Sequence, residues 1–386
     1  MRAGVNTNPY EFHQIYDSPA PKGYKPFYIS HYGRHGSRSD WGNKDYSEVI
    51  KVLSEAKKEG LLTPEGETLL SVAEKVLAEY NGMDGRLTPR GAREHQKIAE
   101  RMYLRYSRVF QKKGGRVRAV SSYVPRCLIS MGAFTSSLSA LKPDLSLTWD
   151  AGDKFQKYLS NDCPKSVKEA SEPLLNSLLK TSSPDTVFFL KKIFTEPEKA
   201  APMISDRGKF QKRIFNTAKI AGSFDIEADA FNVLPLDVIL YWEQYYAAVL
   251  YLRHCNSVEY GEEVIKEARP LLKDILDKTE EAVAGSDVMA DLRFGHDYPI
   301  LSLGSLMGLE GIGDRMTYKE IGKGWFGGGY TCFAANIQMI LYKNKSGDVL
   351  VKFLLNEKET LIIGHKPYQG PYYRWEDVRK IFAGRI

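Results

Sequence analysis

A chain of 386 residues with 43% hydrophobic and 26% charged side chains can bury one large core, or a core plus a second module, and its composition is ordinary for a globular protein. The formal charge of +6 is spread along the chain, with no basic stripe interleaved with aromatics. That argues against nucleic-acid binding and fits a small anionic ligand. No apolar run is long enough to span a bilayer.

The opening stretch MRAGVNTNPYEF has no apolar region of the kind a secretory signal needs, so Met1 reads either as a native start or as the substitute for a removed signal. The first strand is predicted at Phe27–His31, ending in glycine. It breaks into HYGRHGSR, which packs His31, Arg34, His35 and Arg38 around Gly33 and Gly36. Helices are predicted over Asp45–Gly60 and Thr63–Tyr80, the second with Thr63 as N-cap and Pro64 at its first position. Thr88 and Pro89 open a third in the same way, and Ala92, His95, Ala99, Met102, Tyr106 and Val109 recur at steps of three and four. Gly114 and Gly115 end it, Arg116–Ser121 reads as a short strand, and a further helix starts at Pro125. This alternation predicts an α/β domain with parallel strands.

From about Asp150 to Asn232 strand-like runs vanish and lysine-rich helical segments take over. The predicted division is a discontinuous α/β core, residues 1–145 and 233–386, enclosing a helical insertion at 146–232. Helices follow at Leu234–Cys255 and Glu259–Val283. Val288, Ala290, Leu292 and Phe294 then alternate toward one face, Gly295 breaks the strand, and Asp297 sits where the next helix wants its N-cap. Ala335–Leu341 and Val349–Leu355, joined through NKSGD, predict an antiparallel hairpin. GKGWFG (Gly322–Gly327) matches a phosphate-binding glycine pattern formally, but strand-like sequence follows where that motif needs a helix, so it reads as a loop. Cys127, Cys163, Cys255 and Cys332 form no CxxC pair, so they do not read as a zinc site; one or two disulfides and buried free thiols both fit.

In open α/β sheets ligands collect outside the carboxyl ends of strands. Three strand ends here deliver unusual polar groups: Arg34, His35 and Arg38; Ser121, Ser122 and Arg126; His296 and Asp297. If the strands are neighbours, three guanidiniums, two imidazoles and a carboxyl converge. That inventory suits phosphoryl transfer, where fixed guanidiniums stabilise the charge on the equatorial oxygens. An imidazole among arginines is held neutral and nucleophilic, and the departing alkoxide needs an acid, for which Asp297 is available. Gly33 and Gly36 would let the backbone approach the phosphate. His31 and His35 stand four apart, but the intervening glycine disfavours a helix and no third metal ligand is evident, so His31 reads as a buried histidine. His95 and His254 read as packing or surface residues, and His13 and His365 carry no assigned role.

RHGSR (Arg34–Arg38) resembles the RHGxR signature of the histidine phosphatase superfamily, and HD (His296–Asp297) is similar to the C-terminal motif of its acid-phosphatase and phytase branch. LTPRGARE, VRAVSSYVPRCLISM, NDCP (Asn161–Pro164) and LLNEK (Leu354–Lys358) resemble further segments of that branch. Ser39 departs from the proline many members carry, and HD departs from the HAE of one inositol-polyphosphate phosphatase subgroup. The resemblance implies a phosphoglycerate-mutase-like α/β core, a mostly parallel sheet flanked by helices, with a helical cap. It implies His35 as the nucleophile that becomes a phosphohistidine, Arg34, Arg38, Arg126 and His296 as phosphate ligands, and Asp297 as the proton donor. No cofactor and no metal are implied.

The expected activity is phosphomonoester hydrolysis, with phytate or other inositol polyphosphates favoured. The alternatives are a broad acid phosphatase or sugar-phosphate phosphatase and, from another class, a non-catalytic phosphate-binding protein. Within the insertion, Arg207, Lys209, Lys212 and Arg213 are candidates for a basic wall that selects polyphosphorylated substrates. The expected partner is therefore a small anionic phosphorylated substrate, with no nucleic acid and no membrane span. Relatives with these motifs are commonly exported, so a periplasmic or secreted location is expected, and a Cys163–Cys255 disulfide would fit it.

Overall fold

The computed structural model describes residues 5–181, 184, 186–226, 230–321 and 329–386. The GKGWFG segment lies outside these residues. Eight strands form one mixed sheet: β1 (Lys25–Arg34), β2 (Arg116–Ser121), β3 (Ser146–Ala151), β4 (Val288–Gly295), β5 (Asn336–Lys343), β6 (Val349–Leu355), β7 (Lys358–Thr360) and β8 (Tyr372–Arg374). Their order is β3-β2-β4-β1-β5-β6-β7, with β8 also on β6. The run β3-β2-β4-β1 is parallel, while β5 to β8 pair antiparallel. The α/β class and the helical layer are as expected, and the hairpin turns the far half of the sheet antiparallel.

Parallel pairing brings the three chemistry-bearing strand ends to one edge. Arg34 is opposite Gly295, and Ser121 is opposite Phe294. β4 lies between β2 and β1 and is buried along its whole length, on both faces. Its polar residues are accordingly paired: Arg293 binds Asp274 at 2.6 Å and Ser30 at 3.0 Å, and Asp291 accepts from Arg118 and Tyr28.

The helix starts follow their sequence signals. Thr63 accepts a hydrogen bond from Gly66 and Thr88 one from Gly91, each with proline at the first helical position, giving helices Pro64–Tyr80 and Pro89–Arg105. The latter ends four residues earlier than the periodicity predicts and continues as a 3-10 turn, Ser107–Gln111. Glu259–Val283 is likewise broken, with short turns before the helix Arg269–Val283. Asp297 is the first helical residue, and His296 holds the N-cap position.

Two findings correct the predicted organisation. Residues 146–151 are the sheet's edge strand, not the start of the insertion. As an edge strand it is largely exposed, Trp149 included, although Leu147, Trp149 and Ala151 alternate with Ser146, Thr148 and Asp150 in the period of a strand. The helical layer is also drawn from two separate stretches. Helices Lys44–Lys58 and Pro64–Tyr80 share a hydrophobic core with Thr186–Ile193, Arg207–Ala221 and the first half of Leu236–His254. A larger core covers both faces of the sheet. The expected Cys163–Cys255 bridge is not formed: all four cysteines are unpaired.

Candidate active site

β1 ends on Arg34, whose side chain is fully buried. Its Nη2 lies 3.1 Å from Asp297 Oδ2, its Nη1 donates to the carbonyls of Thr331 (2.5 Å) and Asn6, and its guanidinium sits over the Phe333 ring. The next residue, His35, is anchored through its backbone N–H to Gly295 at 2.9 Å. Its Nδ1 lies 2.9 Å from the carbonyl of Gly36. A carbonyl only accepts, so Nδ1 carries the hydrogen and the lone pair resides on Nε2. Burial first, then the charges of Arg34, Arg126 and Arg38, push the His35 pKa well below 6.5. The ring is therefore neutral at mildly acidic pH.

The loop after His35 is pinned from beneath by the helix Pro89–Arg105. Buried Glu94 accepts from Ser37 N (2.8 Å) and Ser37 Oγ (2.7 Å), and Thr88 N donates to the Ser37 carbonyl at 2.9 Å. A Cβ on Gly36 would lie 2.3 Å from the carbonyl oxygen of Gly91. Gly36 is thus required for two backbones to cross, and a Cβ on Gly33 would strike the His31 ring at 2.6 Å. Ser39 binds the turn through its hydroxyl, which accepts from Arg86 N at 3.1 Å and donates to Met83 O.

From the other two strands, His296 Nδ1 accepts from Arg126 Nη2 at 3.2 Å, which leaves the hydrogen on Nε2 to be donated to Ser122 Oγ, also at 3.2 Å. Burial and Arg126 bring its pKa down to about 4. Burial opposes the charge on Asp297, but Arg34 and a 2.7 Å hydrogen bond from Asn6 Nδ2 overcome it and bring its pKa down to about 2. Burial, together with neighbouring arginines, also lowers Arg38, to about 10, and Arg126.

All six core residues expected from the sequence therefore meet at one edge of the sheet. The four insertion residues do not form one wall. Arg207 is exposed, and Lys209 is 74% exposed and paired with its own helix cap, Asp206. Arg213 faces Asp45 and Glu48 at 3.9 and 3.5 Å. Lys212 lies over the Trp242, Tyr245 and Tyr246 rings. Seven residues on, Lys219 is 4.3 Å from the Tyr246 centroid and couples electrostatically to Asp40 and Arg38. Lys219, Asn6 and Trp41, whose ring lies over the Arg38 and Arg126 guanidiniums, are the residues at this edge that sequence reasoning missed. Lys219 sits six residues beyond the basic run that drew attention, and Asn6 carries no motif.

Three of the remaining histidines pack, while His13 is exposed beside Glu11 and His365 lies 3.4 Å from Arg385. His31 and His95 are buried beside Phe134 and Phe294, and His254 stacks on Tyr298 at 3.8 Å. Among the described residues no group of three or more His, Cys, Asp and Glu is arranged to hold a metal, and no helix is long and apolar enough to cross a membrane.

Comparison with solved structures shows the same fold in a Bifidobacterium longum multiple inositol polyphosphate phosphatase complexed with inositol hexasulfate: TM-score 0.79, 19% identity, 98% of this chain and 97% of that one covered. A phytase from D. castellii matches with TM-score 0.77 and 14% identity, over 100% of this chain and 85% of its own. A Klebsiella sp. ASR1 phytase matches with TM-score 0.56 and 13% identity, over 94% and 96%. At these identities the likeness is one of fold. A search of curated protein sequences returned no match. The family model for the histidine phosphatase superfamily (branch 2) matches residues 33–356, from the strand end that carries Arg34 and His35 to the end of the hairpin, and the chain belongs to that superfamily.

Proposed function

We propose that this protein hydrolyses phosphomonoesters through a phosphohistidine on His35, with inositol polyphosphates as the favoured substrates. The observation that carries the reading is the state of His35: a neutral ring with its hydrogen held on Nδ1 by Gly36 and its Nε2 lone pair available among three guanidiniums. Nε2 attacks phosphorus and the ester P–O bond breaks. Arg34, Arg38 and Arg126 stabilise the phosphoryl oxygens, and His296, which accepts from Arg126 and donates to Ser122, holds the Arg126 guanidinium beside them. Asp297 gives its proton to the leaving oxygen, then as carboxylate takes one from the water that attacks the P–N bond, releasing inorganic phosphate and restoring His35.

Asp297 begins ionised in the free protein, because Arg34 holds its pKa down. Phosphate bound to Arg34 weakens that hold. At mildly acidic pH a phosphomonoester, whose second pKa is about 6, arrives in part as the monoanion and brings a proton with it. This supports an optimum between roughly pH 4 and 6 for a different reason from the ordinary titration of an aspartate near 4.

The preference for several phosphates is supported by Lys219, which interacts electrostatically with Arg38, with Lys212 two turns earlier on the same helix. The inositol hexasulfate bound by the bifidobacterial relative is a polyanion of the same shape. One observation favours a singly phosphorylated substrate instead: Asp40 and Asp45 act on Lys219 and offset its charge. Phosphate release from inositol hexakisphosphate and from an aryl phosphate, with chelator present and His35→Ala alongside, tests the reading. Release from both that is lost in the variant supports it, and release from the aryl ester alone leaves the chemistry and discards the inositol phosphates. Release from neither makes the site a phosphate-binding one.

A further inference from the structure

The phosphate-binding arginines differ in what holds them. Arg34 is ion-paired with Asp297 and tied to two carbonyls. Arg38 donates only to the Ser39 carbonyl at 2.6 Å, and Arg126 to His296 Nδ1 at 3.2 Å, and the Nε atoms of all three arginines are without a hydrogen-bond partner among the described residues. Among the described residues no carboxylate lies within ion-pair distance of either; Asp297 acts on both, and Asp40 on Arg38, only at longer range. Two largely buried like charges left in this way repel each other and gain little from solvent.

One side chain touches both. The indole of Trp41 has the guanidinium carbon of Arg126 4.7 Å, and that of Arg38 5.1 Å, from its ring centroid. The ring itself is seated against bare backbone: a Cβ on Gly85, whose φ is +59°, would lie 2.6 Å from it. The turn that carries the indole is laced to its neighbour by Ser39 N to Arg86 O (2.9 Å) and Gly85 N to Asp40 O (2.8 Å). Yet Trp41 is 63% exposed, so core packing does not account for it.

We propose that Trp41 is a positioning residue for the phosphate clamp, holding the Arg38 and Arg126 guanidiniums by cation–π contact so that their remaining N–H donors stay free for phosphate. A carboxylate partner would steady the same charges but would occupy the donors that phosphate needs. An aromatic face attracts the cation through its quadrupole and leaves the in-plane N–H groups unspent. The proposal deepens the hydrolase reading, because it assigns Trp41 a function through those two arginines.

The test is calorimetric binding of inorganic phosphate to the wild-type protein and to Trp41→Ala, Trp41→Leu and Trp41→Phe, with kcat/KM on an aryl phosphate and on inositol hexakisphosphate. Loss of two cation–π contacts weakens phosphate binding by about tenfold in the Ala and Leu variants, and Phe restores most of it. The same factor appears in kcat/KM on both substrates. Unchanged phosphate affinity in Trp41→Ala overturns the proposal, whether the loss is confined to the inositol substrate, as for a ring that merely supports it, or to the melting temperature. Equal behaviour of Leu and Phe overturns it too. Phosphate binding needs no turnover, so a wild-type protein that hydrolyses neither substrate counts against the hydrolase reading while the Trp41 comparison still stands.

Discussion

The guanidinium of Arg34 lies 3.1 Å from the carboxylate of Asp297, two residues 263 positions apart that the parallel pairing of β1 with β4 brings to one strand edge. The contact ties the proposed acid to a proposed phosphate ligand. Whatever binds Arg34 changes the proton affinity of Asp297, so the free protein and the phosphate complex differ in protonation.

In the free protein, Asp297 is expected to stay ionised down to about pH 2. Carboxyl-carbon NMR on selectively labelled protein checks this, and inorganic phosphate should move the midpoint upward. A free-protein midpoint near 4 would remove the coupling to Arg34.

Asp297→Asn is expected to lower kcat on an unactivated alkyl phosphate by a hundredfold or more, on the order of a general acid's usual contribution. An aryl phosphate, whose leaving group departs without a proton, should lose far less. Equal losses on both substrates would take Asp297 out of the acid role.

Stability should fall as pH falls from neutrality. Burial holds His31 near 3 and His95, His254 and His296 near 4, against 6.5 for the unperturbed group. Between those values the unfolded chain binds more protons than the fold, so the contribution is complete above about pH 6.5 and is lost progressively toward pH 4. The slope is on the order of 1 kcal/mol per pH unit for each histidine. Melting temperatures across pH 7 to 4 measure it, and His31→Phe should make the decline shallower. A flat profile would show that these rings are not held neutral.

Glu94→Gln should cost about 2 kcal/mol in denaturant unfolding, because one of the two Ser37 donors then faces an amide N–H instead of an oxygen. The RHGSR turn rests on that carboxylate, so phosphate affinity should drop as well. Full affinity in the variant would mean that the turn holds its shape unaided.

Lys219→Met is expected to reduce kcat/KM for inositol hexakisphosphate about tenfold more than for an aryl phosphate, while Arg207→Ala and Lys209→Ala leave the ratio near its original value. Parallel kinetics on the two substrates decide it. A ratio that moves with Arg207 and not with Lys219 would return the specificity role to the exposed start of the helix.

What could be read from the sequence was local. The proline-and-threonine helix starts, the Arg116–Ser121 strand, the hairpin through NKSGD and the break of β1 into RHGSR each depend on neighbours a few residues away. So does the placement of Arg34, Arg126 and His296 next to strand ends. Once parallel strands are inferred, their convergence at one sheet edge follows. β3 carries the same signal, Leu147, Trp149 and Ala151 alternating with Ser146, Thr148 and Asp150, so it too was legible as a strand; its place at the sheet's edge was not.

Only the tertiary structure decided the rest. Asn6 reaches Asp297 from a segment with no motif, Trp41 meets Arg126 from another strand end, and Lys219 comes in on a helix packed against Lys44–Lys58. The ionised state of Asp297 and the ring hydrogens of His35 and His296 were decided there too, since each is set by a partner or by burial that appears only on folding. Sequence determines which groups stand at a strand's end; charge state and orientation depend on distance and dielectric, and those exist only once the chain has closed around the site.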